Sequence, residues 1–277
     1  MPYVIVGREN TGDILTYYED HGAGAPVVLV HGYLADVRSW EKQEVALLAA
    51  GYRVIAYDRR GGGASDRPAI GYDYDTLAAD LHALMDALDL RDAMLVGACS
   101  GTGEVIRYLG TYGHHRIRGA ALLAPLPRFL PRSDVNPDGA DRGALDDFLF
   151  DLTADRPAAI KTYLDRHYNI ELLGGGRVSD QAWQNSFHVA LRVSAAAALG
   201  CAIAWREDFT ADIGRVTVPV LVVQGAQDQI MRLTATGDQL TMLPDARRTV
   251  IPDGGHAILW THPAEVNEAL LDFLGSL

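Results

Sequence analysis

Cysteine is scarce: the 277-residue chain holds two, Cys99 and Cys201. A disulfide framework is therefore implausible, and a reducing compartment fits. Basic charge is also short, with 24 Lys and Arg against 36 Asp and Glu and a formal net charge of -12. The arginines are scattered rather than gathered in a stripe with aromatics, which argues against a nucleic-acid partner. The opening residues, Met1 to Glu9, lack the basic then apolar pattern of a secretory signal. The longest apolar-rich stretch, Val189 to Trp205, contains Arg192 and is too short and too polar to span a bilayer. These absences lead to the expectation of a cytoplasmic, soluble protein with no membrane partner.

What is present fits one large α/β domain or a domain with a sizeable insertion. The chain is 48% hydrophobic and 22% charged. That is enough to bury a substantial core. Short β-branched runs alternate with longer helical patterns, the signature of a mostly parallel, twisted sheet flanked by helices. Strands are expected at Pro26 to Val30, Arg53 to Asp58, Ala93 to Ala98, Ile117 to Leu123, Val218 to Gln224 and Arg248 to Ile251. Tyr3 to Val6 and Leu15 to Glu19 suggest a peripheral hairpin. Helices are expected at Trp40 to Ala50, at Asp75 to Leu88 with Leu77, Leu81, Leu84 and Leu88 in helical spacing, at Gly101 to Tyr112 and at Pro263 to Leu274. The rhythm changes after Ala124. Pro125, Pro127, Pro131 and Pro137 open an irregular stretch, and helical patterns without strands follow. Residues 1–125 and 216–277 are thus read as an α/β core, and 126–215 as a helical cap inserted late in the sheet.

The most informative segment is Leu95-Val96-Gly97-Ala98-Cys99-Ser100-Gly101-Thr102-Gly103. A strand-like run leads through Gly-x-Cys-x-Gly into a helical pattern, the form of a nucleophile elbow. Gly97 and Gly101 fix the register on Cys99. Centred on Ser100 instead, the motif would lose both glycines. Nucleophilic catalysis also needs a base and a group to orient it. In this arrangement the chain order is nucleophile, acid, base. Asp228 follows one strand by a short turn, and His256 follows the next by a glycine-containing loop. Each residue alone has a bland reading: a turn cap, an incidental histidine, a small buried hydrophobe. Their order and their places after strands join them.

The strand ending at His31 would bring the backbone N–H of Tyr33 toward Cys99, with the backbone N–H of Ser100 as the second donor of an oxyanion hole. His31 is read as structural, holding the turn, and Cys201 as core packing. Asp58 to Ser65, with Gly61, Gly62 and Gly63, lacks the Gly-Lys-[Ser/Thr] ending of a phosphate loop and is read as a tight loop beside the site. Cys99, Asp228 and His256 lack the close-spaced ligand pair of common zinc sites. No metal and no cofactor are expected. Trp183, Phe187, His188, Trp205 and Trp260 are candidates to line the substrate pocket, with core packing as their alternative.

With these residues in view, the chain resembles the α/β-hydrolase superfamily, and within it the cofactor-free bacterial haloperoxidases, which are esterases with perhydrolase activity. The resemblance spans nearly the whole chain. It is carried by Met1 to Val4, Val30-His31-Gly32-Tyr33, Tyr57 to Ser65, Gly103 to Tyr108, Val218 to Gly225, Asp228-Gln229-Ile230 and His256 to His262. It implies an α/β-hydrolase fold, with the acid at Asp228, the base at His256, oxyanion donors at Tyr33 and Ser100, and the nucleophile at Cys99. Two features depart from the family. Its elbow usually reads Ser-Met, here Cys99-Ser100, and its His-Gly-Asp before the acid is here Gln224-Gly225-Ala226.

A free thiol titrates near about 8.5, and a neighbouring histidine lowers it to give a thiolate–imidazolium pair. Attack on an ester, thioester or activated acyl group then forms a thioester acyl-enzyme. Thioesters favour amine, thiol and carbanion acceptors relative to water, which tilts Cys99 toward acyl transfer or cyclisation. Dienelactone hydrolase, in the same superfamily, implies that a Cys-His-Asp triad also hydrolyses. The expected partner is a small acyl substrate, free or bound to a carrier protein. The alternatives are a serine esterase or perhydrolase carrying an engineered cysteine at position 99, and a non-catalytic binding protein of the same fold. Retained Asp228 and His256 argue against the second. An Asp-nucleophile dehalogenase or epoxide hydrolase is disfavoured by Cys at the elbow tip.

Overall fold

A computed structural model describes residues 2–134, 136–173, 176–236, 242–243 and 246–277. Eight strands form one sheet: β1 (Tyr3–Glu9), β2 (Gly12–His21), β3 (Pro26–Val30), β4 (Arg53–Tyr57), β5 (Ala93–Ala98), β6 (Ile117–Leu123), β7 (Val220–Gly225) and β8 (Ala246–Ile251). Their order is β1-β2-β4-β3-β5-β6-β7-β8. The β1–β2 hairpin and its junction with β4 are antiparallel, and every other pairing is parallel. The expected strands are all present. The last begins two residues earlier than the apolar run suggested, because Arg247 and Arg248 lie exposed on the sheet's edge, where charge discourages further pairing.

The central strands are buried on both faces, which is why they read as continuous apolar runs rather than alternating ones. Side chains still alternate. Val28, Val30 and Ile55 pack with α2 (Tyr74–Ala87) and α3 (Gly101–Tyr112). Val27, Leu29 and Val54 pack against α1 (Glu41–Ala49) and the C-terminal helix Pro263–Gly275 through Leu47, Leu270 and Phe273. The leucine spacing that suggested α2 places Leu77, Leu81 and Leu84 in the core. Asp73 caps this helix by accepting the Thr76 N–H at 2.8 Å, which satisfies one of the free donors of its first turn.

Between β6 and β7 the chain forms α4 (Arg142–Ala154), α5 (Arg156–His167), α6 (Ile170–Leu173), α7 (Asp180–Arg192), α8 (Ala195–Ala204) and α9 (Thr210–Ile213). Isolated bridges such as Phe129–Asp208 tie the proline-rich entry to this layer, and no strand occurs in it among the described residues. Asp155 starts α5 by accepting the Ala158 N–H, with Pro157 in the first turn. Among the described residues no single helix is long and apolar enough to cross a membrane; α7 and α8 are each short and meet at 96°.

Candidate active site

Cys99 stands between β5 and α3 with φ 51°. This is a left-handed conformation that a non-glycine residue adopts at a cost. The flanking glycines are required by close approach. A Cβ on Gly101 would lie 2.4 Å from the Val30 carbonyl oxygen, and one on Gly97 would lie 2.8 Å from the Gly101 oxygen. The turn is held by the Cys99 N–H donating to Leu123 O at 2.9 Å and by Thr102 Oγ1 donating to Cys99 O at 2.6 Å. Leu34 (φ 56°) and Ala124 (φ 46°) share this strained conformation and line the same cavity as Cys99, which encloses about 110 Å³. Three of the seven such non-glycine residues among those described thus line one pocket, which is a ground for testing it as a functional site.

The sequence-predicted polar residues converge here. His256 Nδ1 lies 2.7 Å from Asp228 Oδ2, with both side chains fully buried. The other Asp228 oxygen accepts the N–H groups of Ile230 and Met231, each at 2.8 Å, so the carboxylate is fixed independently of the histidine. His256 Nε2 is buried without a conventional hydrogen-bond partner and is left to the Cys99 sulfur. Burial pushes the Cys99 thiol up, but the charge and hydrogen bonding of His256, with the Tyr33 backbone N–H and the Tyr163 hydroxyl, more than offset this. The thiol is held below its ordinary value. Burial likewise disfavours charge on His256, yet Asp228 and Cys99 reverse it and raise the imidazole to about 10. The two shifts have one cause in common: each group favours the charged form of the other.

Tyr33 lines the same cavity, and its backbone N–H helps hold the Cys99 thiol down. Ser100 is buried beneath the elbow. Its Oγ accepts from Arg59 at 3.0 Å, and its carbonyl accepts from the Tyr74 hydroxyl at 3.1 Å. Arg59 pairs with Glu104 at 2.7 Å, and Tyr57 donates to the same carboxylate. Burial, only partly countered by Arg59, raises Glu104 to about 7. His31 has the structural place read from the sequence. It accepts the Arg59 backbone N–H at Nε2 and bonds Gly32 O through Nδ1, and burial reinforced by Arg59 lowers it to about 4. The 58–65 loop is gathered around Asp58, whose carboxylate accepts the N–H groups of Val37 and Ala64.

The pocket candidates divide. Trp260 lines the Cys99 cavity, with the Lys42 ammonium 4.0 Å from its ring centre. Trp205 lines a neighbouring cavity of about 270 Å³, for which Tyr163 is the common wall. Trp183, Phe187 and His188 line neither cavity. Trp183 and Phe187 stack on each other at 5.4 Å, one helical turn apart, and His188 is exposed. Asn185, Ser186 and Val189, on another face of α7, reach the cavity instead. Cys201 is half-buried against the core, and both cysteines are free.

Three further residues at the site carry no local sequence signal. Tyr163 Oη lies 3.7 Å from Cys99 Sγ, and burial keeps the phenol protonated, well above its ordinary value. His167, one turn on, also lines the cavity, and its carbonyl accepts the Ala257 N–H at 3.0 Å. Asn169 donates to Gln227 O at 2.7 Å, tying the end of α5 to the Asp228 loop. Among the described residues, the group with ligand atoms close enough for a metal ion is Glu19, His21 and Glu44, none of which lines the cavity.

A family model described as the alpha/beta hydrolase fold matches residues 25–263. A Synechocystis sp. protein provisionally named a non-heme chloroperoxidase is 48% identical over 275 residues, covering 99% of this chain and 100% of that one. Among solved structures, a bromoperoxidase from Bacillus anthracis superposes with a TM-score of 0.93 at 36% identity, covering 99% of each chain. An esterase from Exiguobacterium antarcticum gives 0.92 at 27% identity, covering 99% of this chain and 100% of that one.

Proposed function

Because the chain belongs to the alpha/beta hydrolase family, we propose that it transfers a short acyl group from an ester, thioester or other activated donor through a thioester on Cys99. The observation that carries this reading is the sulfur at the tip of a strained turn, φ 51°, paired with a buried histidine raised to about 10. The thiolate attacks the acyl carbonyl. The resulting oxyanion is received by the backbone N–H groups of Tyr33 and Ser100, and His256 passes its proton to the leaving group. Asp228 holds the imidazole by Nδ1 and stabilises its charge. Water or another acceptor then attacks the thioester, and His256 takes up the acceptor's proton.

The cavity encloses about 110 Å³. Pockets for drug-sized ligands start at roughly 300 Å³. The smaller space favours acyl groups of a few carbons. The test is a chain-length series of p-nitrophenyl esters. Turnover is expected to peak at short acyl groups and to vanish in Cys99→Ala. Retained turnover in that variant would contradict the reading.

The names of the relatives favour a second reading, an esterase or haloperoxidase-like enzyme whose pocket is built for serine at position 99. Cys99→Ser separates the two. A site shaped for sulfur loses activity on this change, because a hydroxyl is not ionised by a neighbouring imidazolium. A site shaped for serine gains hydrolytic rate.

A further inference from the structure

One polar group of the cavity has no part in the chemistry above. His167 and Tyr163 stand one turn apart on α5, and both face the Cys99 cavity. The His167 ring lies 5.2 Å from the His256 ring at 71°, and 5.7 Å from the Tyr163 ring in a stacked arrangement. Tyr168 closes the other side edge-on at 5.0 Å. The residue is anchored by its main chain, through the bond from Ala257, and not by its side chain. Nδ1 is buried with no hydrogen-bond partner.

A buried polar atom with no protein partner is unfavourable unless a water or a bound molecule satisfies it, and beside a nucleophile that molecule can be a reactant. Burial and the charge of His256 hold this imidazole well below its ordinary value. It is therefore neutral and keeps one lone pair to accept a hydrogen bond. Two imidazoles, one that moves a proton and one that only accepts a hydrogen bond, thus face the same cavity.

Resting on the reading that Cys99 forms a thioester, we infer that His167 and His256 frame a subsite for the acyl acceptor, one that takes a small nucleophile with two hydrogens on the attacking atom: water or an unprotonated primary amine. In deacylation the acceptor atom bonds to the thioester carbon. The C–S bond breaks with its electron pair returning to sulfur, and one proton passes to His256 Nε2, which restores the thiolate–imidazolium pair. The second hydrogen stays on the acceptor and is held by the His167 lone pair. His167 therefore touches the second reactant and is silent during acylation. An acceptor with one hydrogen, such as a thiol or a secondary amine, can satisfy only His256.

The test separates the two half-reactions. Stopped-flow kinetics with p-nitrophenyl acetate give the acylation rate from the burst and the deacylation rate from the steady state. In His167→Leu the burst rate is expected to change by less than about threefold and the steady state to fall about tenfold or more, the worth of one lost hydrogen bond. His167→Asn, which returns an acceptor near Nδ1, recovers most of that loss. In the wild-type protein the acyl-enzyme partitions to methoxyamine over N,O-dimethylhydroxylamine by about tenfold, and the preference collapses in His167→Leu. Equal losses in both phases, or an unchanged steady state and partition ratio, would overturn the inference. If the leucine variant does not fold, the wild-type ratio decides, and a ratio near one overturns it. Absence of both a burst and an acyl adduct on Cys99 defeats the thioester reading itself, and the acceptor subsite with it.

Discussion

The hydroxyl of Tyr163 stands 3.7 Å from the sulfur of Cys99, so a residue of the helical layer touches the tip of an elbow built by the sheet. Its ring also packs edge-on against Tyr33 at 5.3 Å and beside Trp205 at 6.5 Å. Tyr163→Phe keeps this aromatic wall and removes one donor to the thiolate. Acylation by p-nitrophenyl acetate is expected to fall about tenfold, with the folding free energy changed by less than about 1 kcal/mol. An unchanged acylation rate would show that the hydroxyl does not hold the sulfur.

The pH profile of alkylation follows from the paired shifts. Cys99 is held below its ordinary 9.0, so its thiolate persists below that pH and is lost as pH falls through the lowered value. His256 keeps its proton until about 10. Iodoacetamide should therefore label Cys99 at neutral pH ahead of Cys201, whose thiol burial pushes up. His256→Ala removes the largest of the effects that oppose burial, which moves Cys99 labelling to higher pH. Equal labelling of both thiols, indifferent to His256, would contradict the ion pair.

Beneath the elbow, Glu104 is 0% exposed and pairs with Arg59 at 2.7 Å. Above pH 7, where the carboxylate is ionised, Glu104→Gln leaves the buried guanidinium without its counter-charge and is expected to cost about 3–5 kcal/mol in urea unfolding. The pH dependence has a definite sign. Burial raises the carboxyl from 4.5 to about 7. Between these values the folded state binds a proton that the unfolded state releases. This contribution to stability is full below 4.5 and is lost as pH rises through 7. The glutamine variant should lack that slope.

Hydrogen peroxide gives a further test. A thiolate at neutral pH is oxidised first to sulfenic acid, which a thiol reductant reverses. Peroxide should inactivate the protein, and dithiothreitol should restore it after brief exposure. In Cys99→Ser the sulfenic adduct, read by intact-protein mass spectrometry, should be absent. Full activity of the wild-type protein after peroxide treatment would be incompatible with an ionised Cys99.

Much of this site was legible in the sequence because its constraints are local. Gly97 and Gly101 are fixed because a Cβ there would lie 2.8 and 2.4 Å from neighbouring backbone oxygens, Asp228 follows a continuous apolar strand, and His256 follows the short Thr249-Val250-Ile251 run. Asn169, by contrast, acts through φ 50° and a bond to Gln227, 58 residues away, which no local pattern records. Tyr163 and His167 are silent in the sequence for the same reason: helical spacing gives a face but not what the face meets. The aromatic residues of α7 failed as pocket markers because large rings stack with one another wherever the helix turns them. Here it turned Trp183 and Phe187 together and gave the cavity Asn185, Ser186 and Val189.

The measurement that bears most directly on the account is intact-protein mass spectrometry after brief mixing with p-nitrophenyl acetate, followed by peptide mapping. The account predicts one added acetyl group, mapped to the peptide containing Cys99, released by neutral hydroxylamine and absent in Cys99→Ala. An acetyl group on Ser100 or any other residue, or turnover with no adduct at Cys99 under any quench, would contradict it.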